Sequence, residues 1–201
     1  MKRLYRIAAG LLVIGLTAFG CAHDGSGKSA GGWVTLLDGS SMKGWYPVGN
    51  ANWRVEGGAV VADKLTGKAT GFLVTDKSYR DFQLQVEFWA SDDANSGVYF
   101  RCGNPEVIND KVCYEANIFD QRKDPSYGTG ALVHHAKVSP MPKAGGKWNS
   151  YDITIKGTHI VVMLNGLKTV DINNDLLKEG QIALQYAQGA VKFRRVAIRE
   201  L

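Results

Sequence analysis

The chain has 201 residues, 24 Lys and Arg against 19 Asp and Glu, 45% apolar residues and 24 glycines. That apolar content excludes a disordered chain, and the length suits one sizeable core. Three of the basic residues, Lys2, Arg3 and Arg6, sit at the extreme N-terminus and the rest are scattered, so the positive excess leaves no nucleic-acid footprint.

Residues 1–20 read as an export leader: a basic start, then a mostly apolar run from Ile7 to Phe19 that is short of the about 20 residues a spanning helix needs. Ala18-Phe19-Gly20 ahead of Cys21 resembles a bacterial lipobox, although Ala18 and bulky Phe19 depart from the usual pattern. Cys21 is therefore a lipidation candidate, with ordinary cleavage nearby as the alternative. Acyl chains there would hold the protein at a membrane, each buried methylene contributing about 0.8 kcal/mol. Ala22, rather than Asp, points by the same resemblance to the outer membrane, with the protein facing the periplasm or the exterior. Residues 21–32, rich in Gly, Ser, Lys and Asp, read as a flexible tether, and 33–201 as a single domain.

Within the domain a hairpin turn is expected at Glu56-Gly57-Gly58. Phe82, Leu84, Val86 and Phe88 alternate with Gln83, Gln85, Glu87 and Trp89, as on a half-buried strand. Two further strands follow over Asn95 to Arg101 and Cys113 to Asp120. Tyr151 to Lys156 alternates again, and His159 to Leu164 ends at Asn165-Gly166, a strong two-residue hairpin signal, before Leu167 to Asp171 returns. Asn174 to Glu179 reads as one helical turn. Val191 and Phe193 occupy odd positions but Val196 and Ile198 even ones, which predicts a bulge at Arg194-Arg195. About a dozen short strands with almost no helix give an all-β fold, two antiparallel sheets packed as a jelly-roll β-sandwich.

The segment 95–120 holds the candidate site. Strand alternation puts Gly97, Tyr99 and Arg101 on one face and Glu115 with Asn117 beside them. Gln83, Gln85 and Glu87 are expected to join this polar face. A guanidinium, a carboxylate, an amide and a phenol over a glycine that leaves room is a sugar-binding set. The plain alternative is a solvated face with a surface Arg–Glu pair, worth little energetically. Cys102 and Cys113 form a disulfide or remain two free thiols; regular strands would point them to opposite sides, so a bridge requires a bend or bulge. Ser91-Asp92-Asp93-Ala94-Asn95 offers oxygen ligands but no calcium-loop spacing, and reads as a turn.

Trp33-Val34-Thr35-Leu36-Leu37-Asp38-Gly39 with Gly44-Trp45, Trp53 to Gly58, Tyr79-Arg80-Asp81-Phe82, Asn95-Ser96-Gly97, Tyr114-Glu115, Gly145 to Asn149, Leu164-Asn165-Gly166 and the closing Phe193 to Leu201 together resemble the 3-keto-disaccharide hydrolase domain family. The resemblance implies a concanavalin A-like jelly roll acting on a sugar already oxidised at C3, by β-elimination and rehydration. It implies Glu115 as the base, Arg101 as the enolate or substrate clamp, Tyr99 and Asn117 as hydroxyl-orienting groups, and Asp120 as a secondary candidate at the strand end. Glu87, Trp89, Tyr186, Gln188 and His134 complete the expected sugar-binding set. One departure stands out: family members commonly carry a histidine in a late Leu-Gln-x-His-Gly motif, where this chain reads Leu184-Gln185-Tyr186-Ala187-Gln188-Gly189. Gln188 cannot carry a proton near neutral pH. His134 or His135 could replace it, but consecutive strand residues point opposite ways, so at most one would face the site.

No cofactor follows with certainty, and a divalent metal stays open. The expected ligand is an oxidised carbohydrate, with a sugar oxidoreductase supplying the ketone. Three other readings compete: a carbohydrate-binding lipoprotein on the same scaffold, stacking sugars on Trp89, Tyr99 and Tyr186 without turnover; an envelope-interaction protein; and, more distantly, a glucanase-type hydrolase using Glu115-x-Asn117-x-x-Asp120.

Overall fold

A computed structural model describes residues 31–104 and 106–201; the leader, Cys21 and most of the tether lie outside them. Five strands, β2 (Trp45–Val48), β5 (Gly71–Tyr79), β12 (Gly180–Tyr186), β7 (Ser96–Cys102) and β8 (Tyr114–Ile118), form one antiparallel sheet in that order. The second sheet runs β11 (Leu167–Asn173), β10 (His159–Leu164), β9 (Trp148–Lys156), β6 (Phe82–Ala90), β13 (Val191–Glu200), β4 (Ala59–Ala62) and β3 (Arg54–Glu56). The short β1 (Val34–Leu37) makes its eighth strand by pairing with the far half of β13. The two sheets pack face to face, burying Phe82, Leu84, Val86 and Phe88 of one against Leu73, Val98, Phe100 and Leu184 of the other.

Local chemistry sets the turns where the sequence placed them. Gly57 and Gly58 join β3 to β4, and Asn165 and Gly166 join β10 to β11, both pairs with positive φ as a tight hairpin twisted like its strands requires. The register of β13 on β6 shifts between Phe193 and Arg195, the expected bulge. One expectation fails: Asn174 to Glu179 is irregular, because the Asn174 side chain accepts from the Leu176 amide and the Tyr114 hydroxyl instead of starting a helix. Among the described residues the only helical segment is a 3-10 turn at Pro125–Tyr127.

The polar residues of β6 do not join those of β7 and β8. They lie on the outer face of the eight-stranded sheet, on the opposite side of the sandwich. There Gln85 donates to Asp152 at 3.0 Å, Gln83 accepts from Arg199, Glu87 pairs with Arg194 at 2.6 Å, and Lys192 sits over the Trp89 ring. Glu87 and Trp89 are thereby removed from the candidate site. Alternation gave their facing correctly, but only the strand order reveals that the two polar faces belong to different sheets.

Candidate functional site

Cross-strand partners share a face, so register alone assembles the outer surface of the five-stranded sheet. One row crosses it as Val48, Phe72, Gln185, Gly97 and Asn117. The next runs Tyr46, Val74, Ala183, Tyr99 and Glu115. Apolar residues fill the β2 and β5 half and polar ones the β7 and β8 half. Tyr99, Glu115 and Asn117 are all buried: the Asn117 side chain donates to the Tyr127 carbonyl in the connection after β8, and Ile108 and Val112 of the connection 103–113 pack on the cluster of Phe72, Val74 and Tyr99.

Cys102 and Cys113 close that connection as a disulfide. The parity problem is solved at Arg101, whose φ of 53° bends the strand. The bend brings Cys102 onto the outer face with Tyr99, and it also takes Arg101 away from that face. Arg101 is 1% exposed, and its guanidinium donates to the carbonyls of Arg80, Gly157 and Leu177 and to Asp81. Those residues lie in three strand connections at one end of the sandwich. Arg101 therefore does not clamp a substrate beside Glu115; it ties the fold together.

Other expected site residues also have structural duties. Asp120 follows β8 and accepts from the Thr129 hydroxyl at 2.6 Å and the amides of Ala144 and Gly145, holding two loops together. Tyr186 points into the core, its hydroxyl donating to the Gly189 carbonyl at 2.9 Å. Gln188 is exposed, with its backbone bridged to Asn95. The two histidines do point apart, but in a turn and not on a strand, with His134 at φ 64°. His135 packs edge-on against Tyr114, while His134 stands at the rim, 2.8 Å from Asp110.

What remains is a compact polar group. Gly97 makes it fit: a β-carbon there would lie 2.7 Å from Glu115 Oε1 and 3.2 Å from the Tyr99 ring, so only glycine lets the carboxylate lie over β7. Burial pushes the Glu115 carboxyl up to about 7; the nearby Tyr99 hydroxyl pulls it back by hydrogen bonding, Asp110 pushes it up and Arg122 pulls it down. Burial, then the Glu115 charge, pushes the Tyr99 phenol far up, so it stays a proton donor. Gln185 Nε2 donates to the Tyr99 hydroxyl at 3.0 Å. Beneath them the Tyr151 hydroxyl reaches across the core from β9 to the Asn117 carbonyl, fixing β8 in place.

Sequence reasoning missed Arg122 and Gln185. Arg122 stands in the connection after β8 and Gln185 on β12, and neither proximity to Glu115 can be read without the loop path and the strand order. Among the described residues no group of three or more His, Cys, Asp and Glu comes together as a metal site would require. A cavity of about 570 Å³ lies elsewhere, along the sandwich edge between Leu36, Trp45, Tyr79 and Ile198. Its walls are mainly apolar, and none of the buried polar atoms that lack partners lines it.

A family model for the 3-keto-alpha-glucoside-1,2-lyase-like domain matches residues 32–199. A curated 3-keto-disaccharide hydrolase from Bacteroides thetaiotaomicron is 26% identical over 35% of this chain, and this chain spans 28% of that protein's length. The fold is similar to a candidate glycosyl hydrolase of known structure from Parabacteroides distasonis (TM-score 0.74, 20% identity, 85% of this chain and 94% of that one). It is also similar to the carbohydrate-binding module CBM66 from Bacillus subtilis (TM-score 0.60, 17% identity, 78% and 95%) and to the Bacillus licheniformis beta-glucanase (TM-score 0.61, 12% identity, 86% and 100%).

Proposed function

The chain belongs to the 3-keto-alpha-glucoside-1,2-lyase-like domain family, and on that premise we propose that it cleaves glycosides whose sugar carries a ketone at C3, with Glu115 as the base. The observation that carries this reading is a buried carboxyl held near 7, beside a permanent phenol donor and a cation. A base is most effective when its pKa lies close to the working pH. The C3 ketone acidifies the hydrogen at C2. Glu115 takes that proton, and the electron pair moves onto the ketone oxygen as an enolate, where Arg122 supplies the positive charge first sought in Arg101. The enolate then re-forms the ketone, expels the oxygen at C1 and leaves a C1–C2 double bond; the departing oxygen takes up a proton. Water adds its oxygen to C1 and a proton to C2, so the sum is hydrolysis.

The test is release of product by the purified protein from 3-keto disaccharides and from their unoxidised parents. Turnover of the keto sugars only is expected, and Arg122→Gln should lower kcat about 100-fold or more with its melting temperature unchanged. Cleavage of the unoxidised sugars at the same rate would overturn the elimination chemistry. Saturable binding without any turnover would favour the second reading, a carbohydrate-binding protein, which draws on the exposed Gln188 standing where family members carry a histidine.

Export and anchoring through Cys21 belong to the same proposal, resting on the leader sequence. Labelled fatty acid should be incorporated into the wild-type protein and not into Cys21→Ser. Equal labelling of both would remove the anchor.

A further inference from the structure

The chain has five tryptophans, and the fold divides them. Trp45 and Trp53 pack on the core, while Trp33, Trp89 and Trp148 stand on the outer face of the eight-stranded sheet, opposite the Glu115 face. Each of these three carries a cation. Lys192 Nζ lies 5.0 Å from the Trp89 ring centre, the Arg194 guanidinium 4.3 Å from that of Trp148, and the Arg199 guanidinium 5.3 Å from that of Trp33. Register brings them together: Lys192, Trp89 and Trp148 are cross-strand neighbours in one row over β13, β6 and β9, and Trp33 precedes Val34, the partner of Ile198, so it falls beside Arg199.

The rings are not sealed in. Trp33 and Trp148 are 41% and 39% exposed. Charge on the face is one-sided as well: Lys192, Arg194, Arg195 and Arg199 line β13, and β6 and β9 set only Glu87 and Asp152 against them. From Gln83, opposite Arg199, to Trp89, opposite Lys192, is six residues, so the strip runs about 20 Å along the sheet. Indole rings beside Lys and Arg are the composition that settles at a bilayer surface, the ring at headgroup depth and the cation at a lipid phosphate. A sugar would need a bare ring face to stack on, and each ring here already has a cation over one. The face also adjoins the tether, because Trp33 is the first residue after segment 21–32.

We infer that the outer face of the eight-stranded sheet is a membrane-docking surface, which lies on anionic phospholipid through Trp33, Trp89, Trp148 and the cations of β13. That a bilayer is within reach rests on the anchor proposed at Cys21; the preference for anionic lipid rests on the face itself. Docking in this way turns the opposite sheet, with Glu115, toward the solvent from which a sugar arrives.

The experiment mixes the full chain with vesicles of brominated phosphatidylglycerol or of brominated phosphatidylcholine, bromine quenching any indole that enters the lipid. Residues 1–32 contain no tryptophan, so the leader and tether are silent. Wild type should lose about half of its emission in phosphatidylglycerol, three rings of five standing on the face, and little in phosphatidylcholine. High salt should restore the emission, since the attraction is between exposed charges. Lys192→Gln with Arg199→Gln, which keeps all five rings, should lose most of the quenching at an unchanged melting temperature. Trp33→Phe with Trp148→Phe should remove most of the quenchable emission; if that variant fails to fold, the charge variant decides alone. Equal quenching in both lipids, or none in either, would overturn the docking face. Emission unmoved by lipid but shifted by polygalacturonate would make the strip a surface for an acidic glycan and likewise overturn it. Fatty-acid labelling at Cys21 without quenching would leave the anchor and remove the face, whereas quenching by phosphatidylglycerol without labelling would sustain the face while the anchor falls.

Discussion

Replacing Glu115 by Gln should abolish turnover and, at alkaline pH, make the protein more stable. The first effect is the loss of a general base, worth about 10²- to 10⁴-fold in rate. In the wild type, kcat/KM should fall as pH drops through about 7, because only the ionised carboxylate accepts the C2 proton. The second effect follows from linkage. Glu115 ionises near 7 in the folded protein and near 4.3 in an unfolded chain, as carboxyls of its type do. Between those values the native state keeps a proton that the unfolded state has released. Wild-type stability should therefore fall as pH rises across that window and level off above it, by roughly 4 kcal/mol in all. Glu115→Gln carries no such proton, keeps an oxygen to accept from Tyr99, and avoids a buried charge. Thermal melts at pH 5 and pH 8 should show the variant gaining on the wild type at the higher pH. A variant that melts below wild type at pH 8, or retains full activity, would remove Glu115 from its assigned role.

A gain in stability on losing the active group fits the way the site is built. Glu115 is held over Gly97, under a disulfide-closed loop, with Asp110 adding repulsion. A carboxylate in that place costs free energy at neutral pH, which is the cost that the proposed role of Glu115 as a poised base would entail.

How much of this was legible in the chain depended on the range of the contacts involved. Hairpins at Gly57-Gly58 and Asn165-Gly166, and the bulge in β13, are local events, and local residue chemistry revealed them. Tyr99, Glu115 and Asn117 could be placed together because β7 and β8 are consecutive strands joined by one connection. Gln83, Gln85 and Glu87 could not be placed, since alternation tells which residues share a side of one strand but not which sheet that strand enters. Gln185 came to the site through β12, which inserts between β5 and β7 although it begins at Gly180, far past the end of β7 at Cys102, a pairing no local pattern announces. Arg101 was misplaced by the same alternation rule, which assumes regular backbone; one residue in the left-handed region is enough to reverse it.

That reversal gives the second large prediction. Arg101→Met should unfold far more readily than wild type while leaving the chemistry of the folded molecules intact. All five guanidinium N–H groups are engaged: Nε and Nη2 with the Arg80 carbonyl at 2.9 and 2.7 Å, Nη1 with the carbonyls of Gly157 and Leu177 at 2.9 and 2.8 Å, and Nη2 with Asp81 at 2.9 Å. Asp81 in turn accepts from the Gly157 amide at 2.9 Å, so one side chain joins the turn between β5 and β6 to those after β9 and β11. Methionine would fill part of the space but leave three carbonyls without these donors and a partly buried carboxylate without its charged partner. Removing one member of such a network costs roughly 3–5 kcal/mol, a large share of the 5–15 kcal/mol that typically holds a domain folded. Urea denaturation should show the midpoint falling accordingly, with kcat/KM per folded molecule unchanged. Arg122→Gln should show the converse, normal denaturation and a depressed kcat. The pair of variants separates the two arginines by which quantity moves. If Arg101→Met instead kept its denaturation midpoint and lost turnover, the guanidinium would have to act on the substrate, and the assignment of the cation to Arg122 would fall with it.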